Sequence, residues 1–285
     1  MRASKAVLNL RITVFRVNRL LSRRTLPASL RCMNAPRHNN LDRSEVWQAR
    51  VDLAACFRTA ARLGLHEGVT NHRSFIVPGR DDLFLVNPDG WSFAEINASR
   101  LLICDFNRRV TAGDGVPEDT AFYIHARLRM RVPRVRAAFH THMPNATSLT
   151  MVDRPPPLFA GLSSVKFYGR VAVDEEYGSL ALDETAGDRI TSTLGEADMM
   201  FIRHHWVMIV GPSIAKAWED LYYLQRAEEV QRLAGASGRP VRPIPRDLAE
   251  RTAEQMRHDG GRNPTALHLA SLKRRLDVIA PEYKQ

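Results

Sequence analysis

Apolar residues recur at helical spacing from Ser44 to Leu63, where Trp47, Val51, Ala54, Ala55 and Ala61 form one stripe and Ser44 is placed to cap it. The pattern then shortens. Ser74–Val77 and Leu83–Val86 read as strands joined through the turn Pro78-Gly79-Arg80-Asp81-Asp82, and Pro88-Asp89-Gly90 reads as a further turn. Asp119 to Met130 has Ala121, Ile124 and Leu128 on one helical face, and Arg136 to His142 is an apolar strand. Met199 to Val210 reads as two strands joined around His204-His205-Trp206. Ser213 to Ala234 is the longest amphipathic helix, closed by Gly235, and a last helix spans about Pro264 to Val278. Strands alternating with helices predict an α/β fold.

Charge divides the chain into two expected parts, a basic leader over 1–41 and a folded domain over 42–285 with a helical extension at its C-terminus. The net charge of +10 suggests a nucleic-acid partner, but nine of the 41 Lys and Arg precede Asp42, where there is no acid. The remaining 32 face 31 acidic residues, so no phosphate-tracking surface is expected. The leader's composition fits a mitochondrial-type transit peptide, a plain disordered leader, or a stretch preceding a true start at Met33. The expected location is cytoplasmic, or mitochondrial if the leader directs import. Three unpaired-looking cysteines, Cys32, Cys56 and Cys104, argue for a reducing compartment. No apolar run reaches the ~18 residues of a bilayer span, so no membrane partner is expected.

Candidate chemistry centres on histidine. On a strand, His140 and His142 lie at i and i+2 and point to the same side, the convergence that a tetrahedral metal ion needs. His205, in the turn after Met199–Ile202, is the best third ligand, and three protein ligands leave a position open for substrate. His-x-His alone equally describes two surface histidines or a pair bonded to backbone carbonyls. There is no Gly-x-Ser-x-Gly elbow, no Gly-x-x-x-x-Gly-Lys and no Gly-x-Gly-x-x-Gly.

Four segments carry a resemblance to a known family: Gly64-Leu65-His66-Glu67-Gly68-Val69-Thr70-Asn71-His72-Arg73-Ser74, Val86-Asn87-Pro88-Asp89-Gly90, Ala138 to Ala146 around His140-Thr141-His142, and Arg203 to Gly211 around His204-His205. From about Val51 to Gly235 the chain resembles the class II aldolase/adducin family. The resemblance implies a three-layer α/β/α sandwich around a largely antiparallel or mixed sheet. It implies metal ligands at His140, His142 and His205 (not His204), one ion per subunit with Zn²⁺ expected, and a homotetramer with the site at a subunit boundary. It also implies enediolate chemistry on a small hydroxy-carbonyl compound, with a carboxylate moving the proton.

At the position of that carboxylate this chain has Ala121; Glu118 and Asp119 lie nearby, and Glu118 is the candidate replacement, with helix capping as its other reading. The phosphate-binding places correspond to Asp89, Gly90, Asp119 and Thr120, where two carboxylates would repel a dianion, so a non-phosphorylated substrate is expected. His72, Ser74 and Gly90 are expected to line the substrate pocket, with a buried hydrogen-bonded role as the alternative for His72. His125 is expected to pack or to orient a ligand ring. Trp206 stands where the family has Gly, which questions the local backbone. Asp174–Tyr177 and Leu182–Glu184 are expected to be solvated loop charges. Two functions follow from the resemblance: a metal-dependent lyase or isomerase, including decarboxylation, or a non-catalytic, adducin-like interaction module.

Overall fold

The computed structural model describes residues 41, 43–153, 158–176, 183–258 and 261–285; apart from Leu41, the basic leader lies outside them. The elements in chain order are α1 (Ser44–Arg62), β1 (His72–Val77), β2 (Arg80–Val86), β3 (Leu102–Asp105), β4 (Val110–Ala112), α2 (Asp119–Arg131), β5 (Ala137–Thr141) and α3 (Pro144–Leu149). They continue with α4 (Leu162–Val165), β6 (Val171–Asp174), α5 (Glu184–Leu194), β7 (Met199–Ile202), β8 (Val207–Gly211), α6 (Ile214–Gly235), α7 (Arg246–Arg257) and α8 (Pro264–Ile279). Among the described residues no helix is long and apolar enough to cross a membrane.

The strands form one eight-stranded sheet in the order β4-β3-β2-β1-β5-β8-β7-β6, antiparallel throughout except for the β6/β7 pair. Strand alternation sorts the side chains into two layers. Leu83, Leu85, Ala137, Phe139, Met199, Phe201, Val207 and Ile209 share a core with residues of α1, α6 and α8. Their neighbours Phe84, Val86, Ala138, Met200, Ile202, Met208 and Val210 pack on the other face with α2 and α5. This is the expected three-layer sandwich.

The boundaries move for local reasons. Arg43, not Ser44, occupies the N-cap of α1, and no side chain caps that end. Ser213 does cap α6, its side chain accepting from the Lys216 N–H. The hairpin turn is tighter than the sequence suggests, because Gly79 adopts φ +75° and lets β2 begin at Arg80. Helix α5 was not anticipated. Its Thr- and Gly-containing sequence is a weak helix former, and its place depends on a close crossing with α2. A Cβ on Gly187 would stand 2.8 Å from the Tyr123 carbonyl oxygen. Asp174 is not a solvated loop charge: it is 4% exposed and pairs with Arg189, while Asp183 caps α5. Tyr177 and Leu182 lie outside the described residues.

Arg73 on β1 and Glu228 on α6 are ionisable side chains with no exposed surface. Arg73 is fully buried, its guanidinium within 4.8–5.6 Å of the ring centres of Phe57, Phe93, Phe139 and Trp218, and it donates to the Cys56 carbonyl at 2.6 Å. Burial lowers its pKa to about 10. Glu228 on α6 is also fully buried, neither carboxyl oxygen has a hydrogen-bond partner, and burial pushes its pKa up to about 8.

Candidate metal centre

Strand β5 delivers His140 and His142 to one end of the sheet. His140 is its fourth residue, and the chain leaves the strand at Thr141, turning into α3 through Met143 with Pro144 in the first helical turn. The turn between β7 and β8 brings His205 to the same place. The left-handed residue in that turn is His204, at φ +58°, so Trp206 meets no backbone penalty and the family's Gly is not needed there. Trp206 is instead 2% exposed and stacks on the His140 ring, with centroids 3.9 Å apart.

The ligating nitrogens of His140, His142 and His205 lie within 4.8 Å of one another, so the three imidazoles can share a metal ion. Nε2 of His140 and Nε2 of His142 are 3.1 Å apart. Two ligands of a tetrahedral ion with bonds of about 2.1 Å would be separated by ~3.4 Å. The fit extends outward, because the opposite ring nitrogens are occupied: His142 Nδ1 pairs with Glu67 Oε2 at 2.5 Å, and His140 Nδ1 with His72 Nε2 at 2.6 Å. Such outer partners leave each Nε2 directed inward.

Behind His140 the network runs deeper than the sequence suggests. His72 and His140 face each other across the β1/β5 pair. His72 Nδ1 meets His125 Nε2 at 2.6 Å, His125 Nδ1 meets Ser74 Oγ at 2.7 Å, and Arg129 donates to the same hydroxyl at 2.9 Å. With protons assigned from donor and acceptor roles, a lone pair on His140 Nε2 fixes every ring in the row: each Nδ1 carries the proton and donates to the next group. Burial keeps these rings neutral. It lowers His72 to about 3 and holds His125 and His140 well below the usual histidine range, and it lowers His205 to about 4. Neutral imidazole is the form that binds a cation.

A cavity of about 540 Å³ opens onto the three histidines. Its polar lining includes Glu67, Thr70, Asp89, Glu118 and Thr120, and its apolar lining Val69, Ile124, Ala186, Ile190, Ile202 and Trp206. The expected substrate-lining residues require correction. His72 and Ser74 do not line this cavity: they are 1% and 0% exposed, because α2 lays His125 and Arg129 over them. Gly90 does not line it either; it forms the turn at φ +76° and leaves Asp89 as the lining residue. Glu118 does line the cavity and also caps α2, Oε2 accepting from the Ala121 N–H at 2.7 Å and from the Thr120 hydroxyl. Asp119 turns to Arg108. Glu67 was missed as a functional residue. The available signal was Asn71 in the same segment, whose Oδ1 accepts from the N–H groups of both Glu67 (2.9 Å) and His142 (3.3 Å) and so holds the carboxylate beside the ring.

The family model for the Class II Aldolase and Adducin N-terminal domain matches residues 51–232. An aldolase class 2-type protein of Pseudomonas aeruginosa is 30% identical over 253 residues, 84% of this chain and 93% of the relative. An adducin-related protein of Schizosaccharomyces pombe is 25% identical over 248 residues, 82% of this chain and 76% of the relative. Among solved structures, an aldolase II superfamily protein from Pseudomonas syringae superposes with a TM-score of 0.79 at 28% identity, covering 85% of this chain and 97% of the other. With the family model matching residues 51–232, a 30% identical relative covered over most of its length, and the sandwich in agreement with the superposed structure, the chain belongs to the class II aldolase/adducin family.

Proposed function

We propose that this chain is a metal-dependent, aldolase-like lyase or isomerase acting on a small, non-phosphorylated hydroxy-carbonyl compound through an enolate. The observation that carries the reading is the inward convergence of His140, His142 and His205, with His72 and Glu67 as outer partners of the His140 and His142 rings. Zn²⁺ suits an all-imidazole set, and when bound it supplies Lewis-acid polarisation of a carbonyl oxygen. Glu67 and His72 keep the ligand rings in the tautomer that presents Nε2. Glu118 is the residue we assign to proton transfer at the substrate carbon. Its cap uses only Oε2, and Thr120 holds the carboxylate in place. Three carboxylates in the cavity lining, Glu67, Asp89 and Glu118, disfavour a dianionic phosphate. We extend the same reading to a homotetramer, as the family resemblance implies, located in the cytoplasm unless the basic leader directs mitochondrial import.

A second reading, a non-catalytic interaction module, is favoured by one observation: Ala121, at the family's proton-transfer position, is fully buried and carries no acid. Metal analysis and turnover separate the two. The purified protein is expected to hold one equivalent of Zn²⁺, and His142→Ala to lose it; folded wild-type protein that takes up no metal sinks the enzyme reading. In an assay of retro-aldol cleavage or decarboxylation, Glu118→Gln is expected to lower turnover about 10²-fold or more with metal content unchanged. Full activity in that variant would remove Glu118 from the mechanism.

A further inference from the structure

The proposed reaction engages the polar lining residues of the cavity and leaves its apolar ones without a role. The apolar lining includes Ile124 from α2, Ala186 and Ile190 from α5, Ile202 from β7 and Trp206 from the following turn. Four of these are members of the apolar cluster between α2, α5 and the sheet, and Ala186 packs against it. The cavity is therefore a metal end joined directly to a hydrophobic end. Among the described lining residues the one Lys or Arg is Arg189, and its charge is already paired with the buried carboxylate of Asp174. A sugar-like substrate would place hydroxyl groups against the aliphatic side chains of Ile124, Ala186, Ile190 and Ile202, which return none of the hydrogen bonds lost from water.

We infer that the substrate carries an apolar, ring-sized substituent that lies against Ile124, Ala186, Ile190, Ile202 and Trp206 while its hydroxy-carbonyl end reaches the three imidazoles. This rests on the proposed metal-dependent function and names the substrate class of that same site. A cavity of about 540 Å³ has room for both ends, being in the range that encloses drug-sized ligands. Moving a phenyl group from water onto such a wall tightens binding on the order of 30-fold.

The test uses Zn²⁺-loaded protein and three chelating acids that need not be turned over: phenyllactate, lactate and phosphoglycolate. Calorimetry is expected to give phenyllactate binding about 30-fold tighter than lactate, with phosphoglycolate weakest. Ala186→Phe, a change at a half-buried position that fills the apolar end, is expected to bring the phenyllactate-to-lactate ratio close to one. Equal affinities for the two acids in the wild type would overturn the inference and leave the metal site standing. Tightest binding of phosphoglycolate would overturn it too. An unchanged ratio in Ala186→Phe would overturn the placement of the ring. Protein that takes up neither Zn²⁺ nor any of the acids would overturn the functional reading beneath it.

Discussion

Glu228→Gln is expected to stabilise the protein by about 5 kcal/mol at pH 9 and to leave it nearly unchanged at pH 5. Glu228 has no exposed surface and no hydrogen-bond partner on either oxygen, and burial raises its pKa from 4.5 to about 8. The folded state thus holds this proton more tightly than the unfolded chain does. Its contribution is most favourable below the unfolded value of 4.5, declines as pH rises, and is fully lost above about 8. A difference of 3.5 pH units at about 1.4 kcal/mol each gives about 5 kcal/mol. Glutamine keeps the shape and cannot ionise. Urea unfolding at intervals from pH 5 to 9 measures the gap, and wild-type and variant curves that stay parallel across that range would show that Glu228 is not the responsible group.

In acid the sign reverses. His72 is 1% exposed, and burial lowers its pKa from 6.5 to about 3. Here the unfolded chain takes the proton first. The stability is complete above pH 6.5 and is lost as pH falls toward 3, about 1.4 kcal/mol per unit and about 5 kcal/mol in all for metal-free protein. His125, His140 and His205 are shifted the same way, so several protons enter together on unfolding. Since domains hold only ~5–15 kcal/mol in reserve, metal-free protein is expected to unfold near pH 5. Comparing proton uptake on unfolding at pH 5 with the His72→Gln/His125→Gln double variant isolates these rings. The variant should take up about two fewer protons; an identical uptake would mean that the buried rings are already charged in the fold.

The long elements were legible because their periodicity reports a buried face directly. Helices α1, α2, α6 and α8 and strands β1, β2, β5, β7 and β8 all have such a signal. Strands β3, β4 and β6 are only three or four residues long and owe their existence to neighbours in the sheet. Helix α5 depends on its fit at Gly187 against α2, and α7 buries only Ala249 and Ala253. At the site, the parity of His140 and His142 was readable, and His205 followed from the family pattern. The row from His72 through His125 to Arg129 was not. It joins residues brought together by the β1/β5 pairing and by the helix covering it, and spacing along the chain carries no trace of either. The resemblance placed His72 and Ser74 at the pocket; what it could not show was that α2 closes over them.

The ring cage around Arg73 acts as a lock on strand register. Side chains alternate along β1, so sliding the strand by one residue would exchange its two sides. A guanidinium would then arrive among neutral imidazoles, and an imidazole would enter a nest shaped for a cation by four aromatic faces. Both exchanges leave charge or polar atoms without partners, so the misaligned pairing has no refuge. Alignment of the histidine row is thereby guarded from the far side of the sheet, by a side chain that points away from it.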